Sequence, residues 1–201
     1  MPRHVRSRSI ATLLAPLFAL VIVLSACGSP IPVVSFDPAR SCTTDGRQPG
    51  AYPDLEAKLP TTYEGQAPAN VDSGRSCTAE ALGTLATGGI SEMRFAGATW
   101  HLGGTTALTV ALFTADGLTP SAMIDFYAAG ARANSKTEKA QVADATVGGK
   151  AAKRLDVLQT DGTGQTIVAW PSAEPGLVNV LLASDLGDAK VLAALDAFGS
   201  R

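Results

Sequence analysis

Residues 140–183 read AQVADATVGGKAAKRLDVLQTDGTGQTIVAWPSAEPGLVNVLLA, four extended runs separated by turn signals. Ala140 to Val147 ends at Gly148-Gly149, Ala151 to Gln159 ends in the loop Thr160 to Gly164, Gln165 to Trp170 ends at Pro171 to Gly176, and Leu177 to Ala183 is almost continuously apolar. Glycine supplies the positive φ that tight turns need, and apolar runs between such turns favour extended backbone. Strands joined by short turns pair with their sequence neighbours, so the stretch predicts an antiparallel meander.

Working outward, Ile90 to Leu102 and Thr105 to Thr114 form a second pair of extended runs joined at Gly103-Gly104. In the latter run both parities are mostly apolar, with Leu108, Val110 and Leu112 on one side and Ala107, Ala111 and Phe113 on the other. Such a strand is central and covered on both faces. Thr119-Pro120 opens a helix whose apolar stripe is Met123, Ile124, Tyr127 and Ala131 and which Asn134 ends. A closing helix is capped by Ser184 or Asp185, carries Val191, Leu192, Leu195 and Phe198, and stops at Gly199. Upstream, Thr78, Glu80, Leu82, Leu85 and Gly88-Gly89 mark another helix, Asp54 to Leu59 a short one stopped by Pro60, and Thr61 to Arg75 reads as loop or coil. The expectation is an α+β fold, an antiparallel β-sheet of about five to six strands packed with two to three helices on one side.

The front of the chain has a different character. Arg3, Arg6 and Arg8 precede the apolar run Ile10 to Leu24, which is shorter than a membrane-spanning helix needs and holds Pro16. The run ends in Leu24-Ser25-Ala26-Cys27, which resembles the lipobox of bacterial lipoproteins. That resemblance implies cleavage between Ala26 and Cys27 and lipidation of the Cys27 thiol. Two or three acyl chains would then anchor the chain to the outer face of the cell membrane. Residues 1–26 are thus expected to be a lipoprotein signal peptide. Residues 27–53, with Pro30, Pro32, Pro38, Pro49 and Pro53, are expected to be a Pro/Gly-rich tether, and residues 54–201 a single globular domain.

Loss of residues 1–26 removes three arginines and no acid, leaving 13 basic against 18 acidic residues and a formal charge of −5. A nucleic-acid partner is not expected of such a chain. Cys42 and Cys77 remain as an even pair in an oxidising compartment, which predicts a disulfide. The element order β-β-α-β-β-β-β-α over Ile90 to Gly199, with the stretch Val147-Gly-Gly-Lys-Ala-Ala-Lys-Arg-Leu155, is similar to the Mog1/PsbP-like α/β sandwich found in small bacterial lipoproteins. The resemblance implies a binding role and carries over no functional residue.

Chemistry-bearing residues are sparse. His101 is the one histidine after the signal, and no G-x-S-x-G segment supplies a nucleophile to go with it. One histidine and two separated cysteines do not make a zinc site, and no cofactor is implied. Asp185 and Asp188 fall where a helix start favours negative charge. Gly162-Thr163-Gly164 lies between hairpin strands and reads as a turn. Trp100, His101 and Trp170 are the residues best suited to line a ligand cleft. Three functional readings follow. The first is a non-enzymatic module that binds a small apolar ligand or an envelope protein, the second a small hydrolase or lipid-handling enzyme using His101, and the third a lipid carrier with an internal apolar cavity.

Overall fold

The computed structural model describes residues 36–200. The expected signal peptide, its cleavage site at Ala26 and the lipidation residue Cys27 lie outside the described residues. Eight strands and five helices follow one another: β1 (Gly46–Gln48), α1 (Pro53–Glu56), β2 (Asn70–Ser76), α2 (Ala79–Leu82), α3 (Thr84–Thr87), β3 (Met93–Gly103), β4 (Thr106–Thr114), α4 (Pro120–Ala133), β5 (Thr137–Val147), β6 (Lys150–Gln159), β7 (Gly164–Pro171), β8 (Leu177–Ser184) and α5 (Asp188–Phe198). All eight strands form one sheet in the order β1-β2-β3-β4-β8-β7-β6-β5, every neighbouring pair antiparallel. The α+β class and the antiparallel meander are as the sequence reads, whereas the strand and helix counts both exceed the expectation.

Helices cover both faces of the sheet, not one. On one face α5 buries Val191, Ala194, Leu195 and Phe198 against Ala98, Leu108, Val110, Val168 and Leu181. On the other, α4 buries Met123, Ile124 and Ala128 against Leu155, Ile167 and Val180, with Leu82 of α2 and Leu85 of α3 beside Met93 and Phe113. The inner strands β4 and β8 are therefore apolar at both parities, which is the pattern Thr105 to Thr114 announced. Thr119 caps α4 by accepting from the Ala122 N–H at 3.1 Å, with Pro120 at the first helical position. The cap of α5 is Gly187, not Ser184 or Asp185. Asp185 instead takes a positive φ of 50° and accepts from the Gly164 N–H at 2.8 Å, tying the end of β8 to the turn before β7.

Two further corrections lie at the front of the domain. Residues 61–75 are not all coil, because β2 pairs with β3 from Asn70↔Thr99 to Ser76↔Met93. Nor is 27–53 all tether: β1 pairs with β2, and α1 begins at Pro53. β2 has little apolar content of its own, so distant partners hold it. Ser73 donates to Glu56 at 2.7 Å and accepts from the Tyr52 N–H at 2.7 Å. Arg75, 3% exposed, donates to the carbonyls of Arg40 at 2.5 Å and Asp37 at 3.0 Å, with its guanidinium 5.5 Å from the Phe36 ring centre. Gly74 is required here, since a Cβ would stand 2.3 Å from the Gly46 carbonyl oxygen. The expected disulfide is present between Cys42 and Cys77, with Cα atoms 6.0 Å apart.

Asp45 completes this staple. Its carboxylate accepts from the Cys77 N–H at 2.6 Å, the Thr78 N–H at 2.9 Å and the Thr78 hydroxyl, while Thr78 itself caps α2. Burial opposes the charge, but the hydrogen bonds from Thr78 and Cys77 outweigh it and hold the carboxyl below its usual range. The glycine pair that ends this helical region is matched by an unforeseen break at Gly83, whose positive φ of 49° divides one expected helix into α2 and α3.

Two outcomes follow. Replacing Cys42 and Cys77 with serine opens a 35-residue loop and should lower the unfolding free energy by about 3–4 kcal/mol in a denaturant titration. Because Asp45 titrates at lower pH folded than unfolded, its contribution is present above about pH 4 and lost as pH falls through the folded value. Asp45→Asn should therefore be less stable than the parent at neutral pH and show a shallower loss of stability on acidification below pH ~4.

Candidate ligand groove

The cap at Thr119-Pro120 starts α4 on a line that carries it over β5, β6 and β7. It lies less over β3 and β4, where a strip of the sheet stays open beside it. Phe126 and Tyr127, on the flank of α4 beside its buried stripe, face one another at 5.4 Å and form the wall of the uncovered strip. The opposite end is closed by Phe95 and Phe113, adjacent in register and 6.0 Å apart. Between them the floor is made of small residues, Gly97 and Thr99 of β3 and Thr109 and Ala111 of β4. The result is a groove of about 360 Å³. A second hollow of about 550 Å³ lies behind the same two aromatic residues, against Val157, Gln165 and Ile167.

The groove combines aromatic walls with polar groups, among them Asn70, Asp72, Ser76, Thr99 and Thr109. The Thr99 and Thr109 hydroxyls lie 2.9 Å apart and one donates to the other. Burial alone pushes the Tyr127 phenol above its ordinary value, so it stays a neutral O–H donor. Arg47 and Asp72 stand at the rim as an ion pair at 3.4 Å, the arginine largely exposed and the aspartate largely covered. Such a space, a few hundred Å³ with aromatic walls and a few polar groups, has the dimensions of a small-ligand site. A third depression of about 390 Å³ at Ile90, Glu92, Arg94 and Asp116 is polar, and its Arg94 is engaged by Glu92 at 2.8 Å and by the Tyr52 ring at 5.3 Å.

Trp100, His101 and Trp170 do not form the expected cleft. Trp100 is 1% and Trp170 0% exposed, and both belong to the core beneath α5, on the face opposite the groove. The Trp100 N–H donates to the Gln66 carbonyl at 3.0 Å, and the Trp170 N–H is enclosed without a partner, so neither presents a donor to a ligand. His101 follows Trp100 along β3 and so points to the other face, where it is exposed. Nor do Asp185 and Asp188 act together. Asp188 pairs with Arg154 of β6 at 2.7 Å, while Asp185 is bound to the Gly164 turn. Among the described residues no three His, Cys, Asp or Glu side chains come together to hold a metal ion.

The groove residues carry little signal in the sequence, because what marks them is the lack of bulk. Gly97-Ala98-Thr99 and Thr109-Val110-Ala111 each place two small residues on one face and an apolar residue on the other, a pattern that gains meaning only once the register sets them side by side. The division between core and surface is measurable. Trp170→Ala should cost about 3–5 kcal/mol of stability, and His101→Ala should stay within about 0.5 kcal/mol of the parent by thermal or chemical unfolding.

In comparisons with known proteins, no family model, no curated protein and no solved structure matched this chain.

Proposed function

We propose that this chain is an extracytoplasmic lipoprotein, held at the cell membrane by acyl chains on Cys27, whose domain serves as a non-enzymatic binding module. The groove under Phe126 and Tyr127 is the observation that carries the binding role, because a folded domain seldom leaves small residues and aromatic walls uncovered in the middle of its sheet without something to cover them. Its occupant on this reading is a small apolar ligand or an apolar segment of an envelope protein. His101 is exposed on β3, and hydrolysis would need a nucleophile and an orienting acid beside it. The two sheet faces are filled by separate cores, which favours an open groove over a carrier's enclosed cavity.

The anchoring half rests on the likeness of Leu24-Ser25-Ala26-Cys27 to a lipobox. The disulfide between Cys42 and Cys77 suits the oxidising side of a membrane. The likeness of the element order to Mog1/PsbP-like lipoproteins points to binding in the same way.

Expression of the full chain in a bacterium tests this. Mass spectrometry of the membrane fraction should find an N-terminal peptide that begins at Cys27 and carries acyl chains, and Cys27→Ser should abolish that modification. A soluble protein that retains residues 1–26 contradicts the anchor. A groove that takes up no apolar probe contradicts the binding role.

A further inference from the structure

We infer that the groove takes a small uncharged aromatic molecule with a carbonyl or hydroxyl group at one end, its ring over Gly97 and its polar end toward Asn70, Thr99 and Thr109. The inference rests on the binding role proposed above and names the chemistry of the ligand.

The first observation is the order of the lining. Side chains alternate along a strand, so Phe95, Gly97 and Thr99 of β3 share the groove face, and the register sets their neighbours beside them. Phe95 stands next to Phe113, Gly97 lies between Asp72 and Ala111, and Thr99 lies between Asn70 and Thr109. Polar and apolar groups thus follow one another in rows: rings, then small residues flanked by Asp72, then an amide with two hydroxyls. Ser76, beside Met93, is the polar exception at the aromatic end. Successive rows are about 7 Å apart, the length of a ring with one substituent. A Cβ built on Gly97 would meet Ala111 and Thr109 at 3.8 Å, ordinary contact distance, so a flat group can lie against the sheet in the middle row.

The second observation is which polar groups are spent. Arg47 and Asp72, the charged residues of the lining, are paired at 3.4 Å, and Asp72 also accepts from Asn70 at 3.4 Å, so no charge on a ligand is called for. Asn70 keeps its carbonyl and a second N–H, and the Thr99–Thr109 pair keeps one hydroxyl proton. Tyr127 is largely buried, and among the described residues its hydroxyl has no hydrogen-bond partner. The Tyr52 hydroxyl and the Trp170 N–H are enclosed, whereas Tyr127 lines both open hollows. It shares those linings with Leu182 and Ile167, which continue the Thr99–Thr109 row across β8 and β7. An alkyl chain would cover this polar row without satisfying it, and a sugar, hydroxylated all round, would set hydroxyls against Phe95 and Phe113. A ring with one polar end does neither.

Fluorescence titration of the full chain with prodan tests the proposal. Prodan is an uncharged naphthalene with a propionyl ketone at one end, and its emission moves to the red when that ketone accepts a hydrogen bond. Dimethylaminonaphthalene, the same ring without the ketone, should bind about three- to tenfold more weakly. Tyr127→Phe and Thr109→Val should each lower prodan affinity about two- to tenfold, shift the bound emission to the blue and leave dimethylaminonaphthalene unchanged. Gly97→Leu should lower the affinity for both dyes at least tenfold with no change in thermal midpoint. The comparison of the two dyes on the parent holds even if a variant fails to fold. Equal affinity for the two dyes, or displacement of prodan by glucose, overturns the inference and leaves the binding role standing. Binding of neither dye overturns both.

Discussion

The inner strands of this sheet are apolar on both faces. β4 and β8 carry apolar side chains at both parities, and the chain covers them with α5 on one side and with α4, α2 and α3 over part of the other, leaving Thr109 and Ala111 of β4 in the groove. The remaining features follow from how far those helices reach. α5 covers the face that holds both tryptophans, while α4 lies over β5 to β7 and less over β3 and β4. The groove is the strip of small residues left between the flank of α4 and Ala81 of α2.

A second constraint acts at the edge. β1 and β2 are too polar to join a sheet by burial, so they are held by groups that come from elsewhere in the sequence. The Cys42–Cys77 bridge, the Asp45 carboxylate on the backbone of Cys77 and Thr78, and Arg75 on the carbonyls of the incoming chain act on the same few residues. The buried Arg75 guanidinium spends its two terminal nitrogens on carbonyls, and those carbonyls belong to the segment it has to hold. The folded unit therefore begins at least as early as Phe36.

What the sequence disclosed and what it withheld divide along the same line. Both-parity apolar content announced β4 as a central strand, glycine pairs placed the hairpin turns, and Thr119-Pro120 and Thr78 marked helix starts, because each of these signals is local. β2 was hidden because its partners lie up to 38 residues away and its own side chains are polar. Trp100 and Trp170 suit a ligand cleft by their size, which is also why the core takes them. The groove was the least legible feature, since glycine, alanine and threonine become a floor only when β3 and β4 stand in register.

On the proposed reading one strip of sheet is a ligand surface while the opposite face is closed core. A titration of the isotopically labelled protein with the apolar dye 8-anilinonaphthalene-1-sulfonate, followed by amide and indole N–H resonances, tests this directly. Shifts should gather at Gly97, Thr109, Ala111 and Tyr127 while the indole N–H signals of Trp100 and Trp170 stay in place. Movement of the two indoles with a silent groove would contradict it.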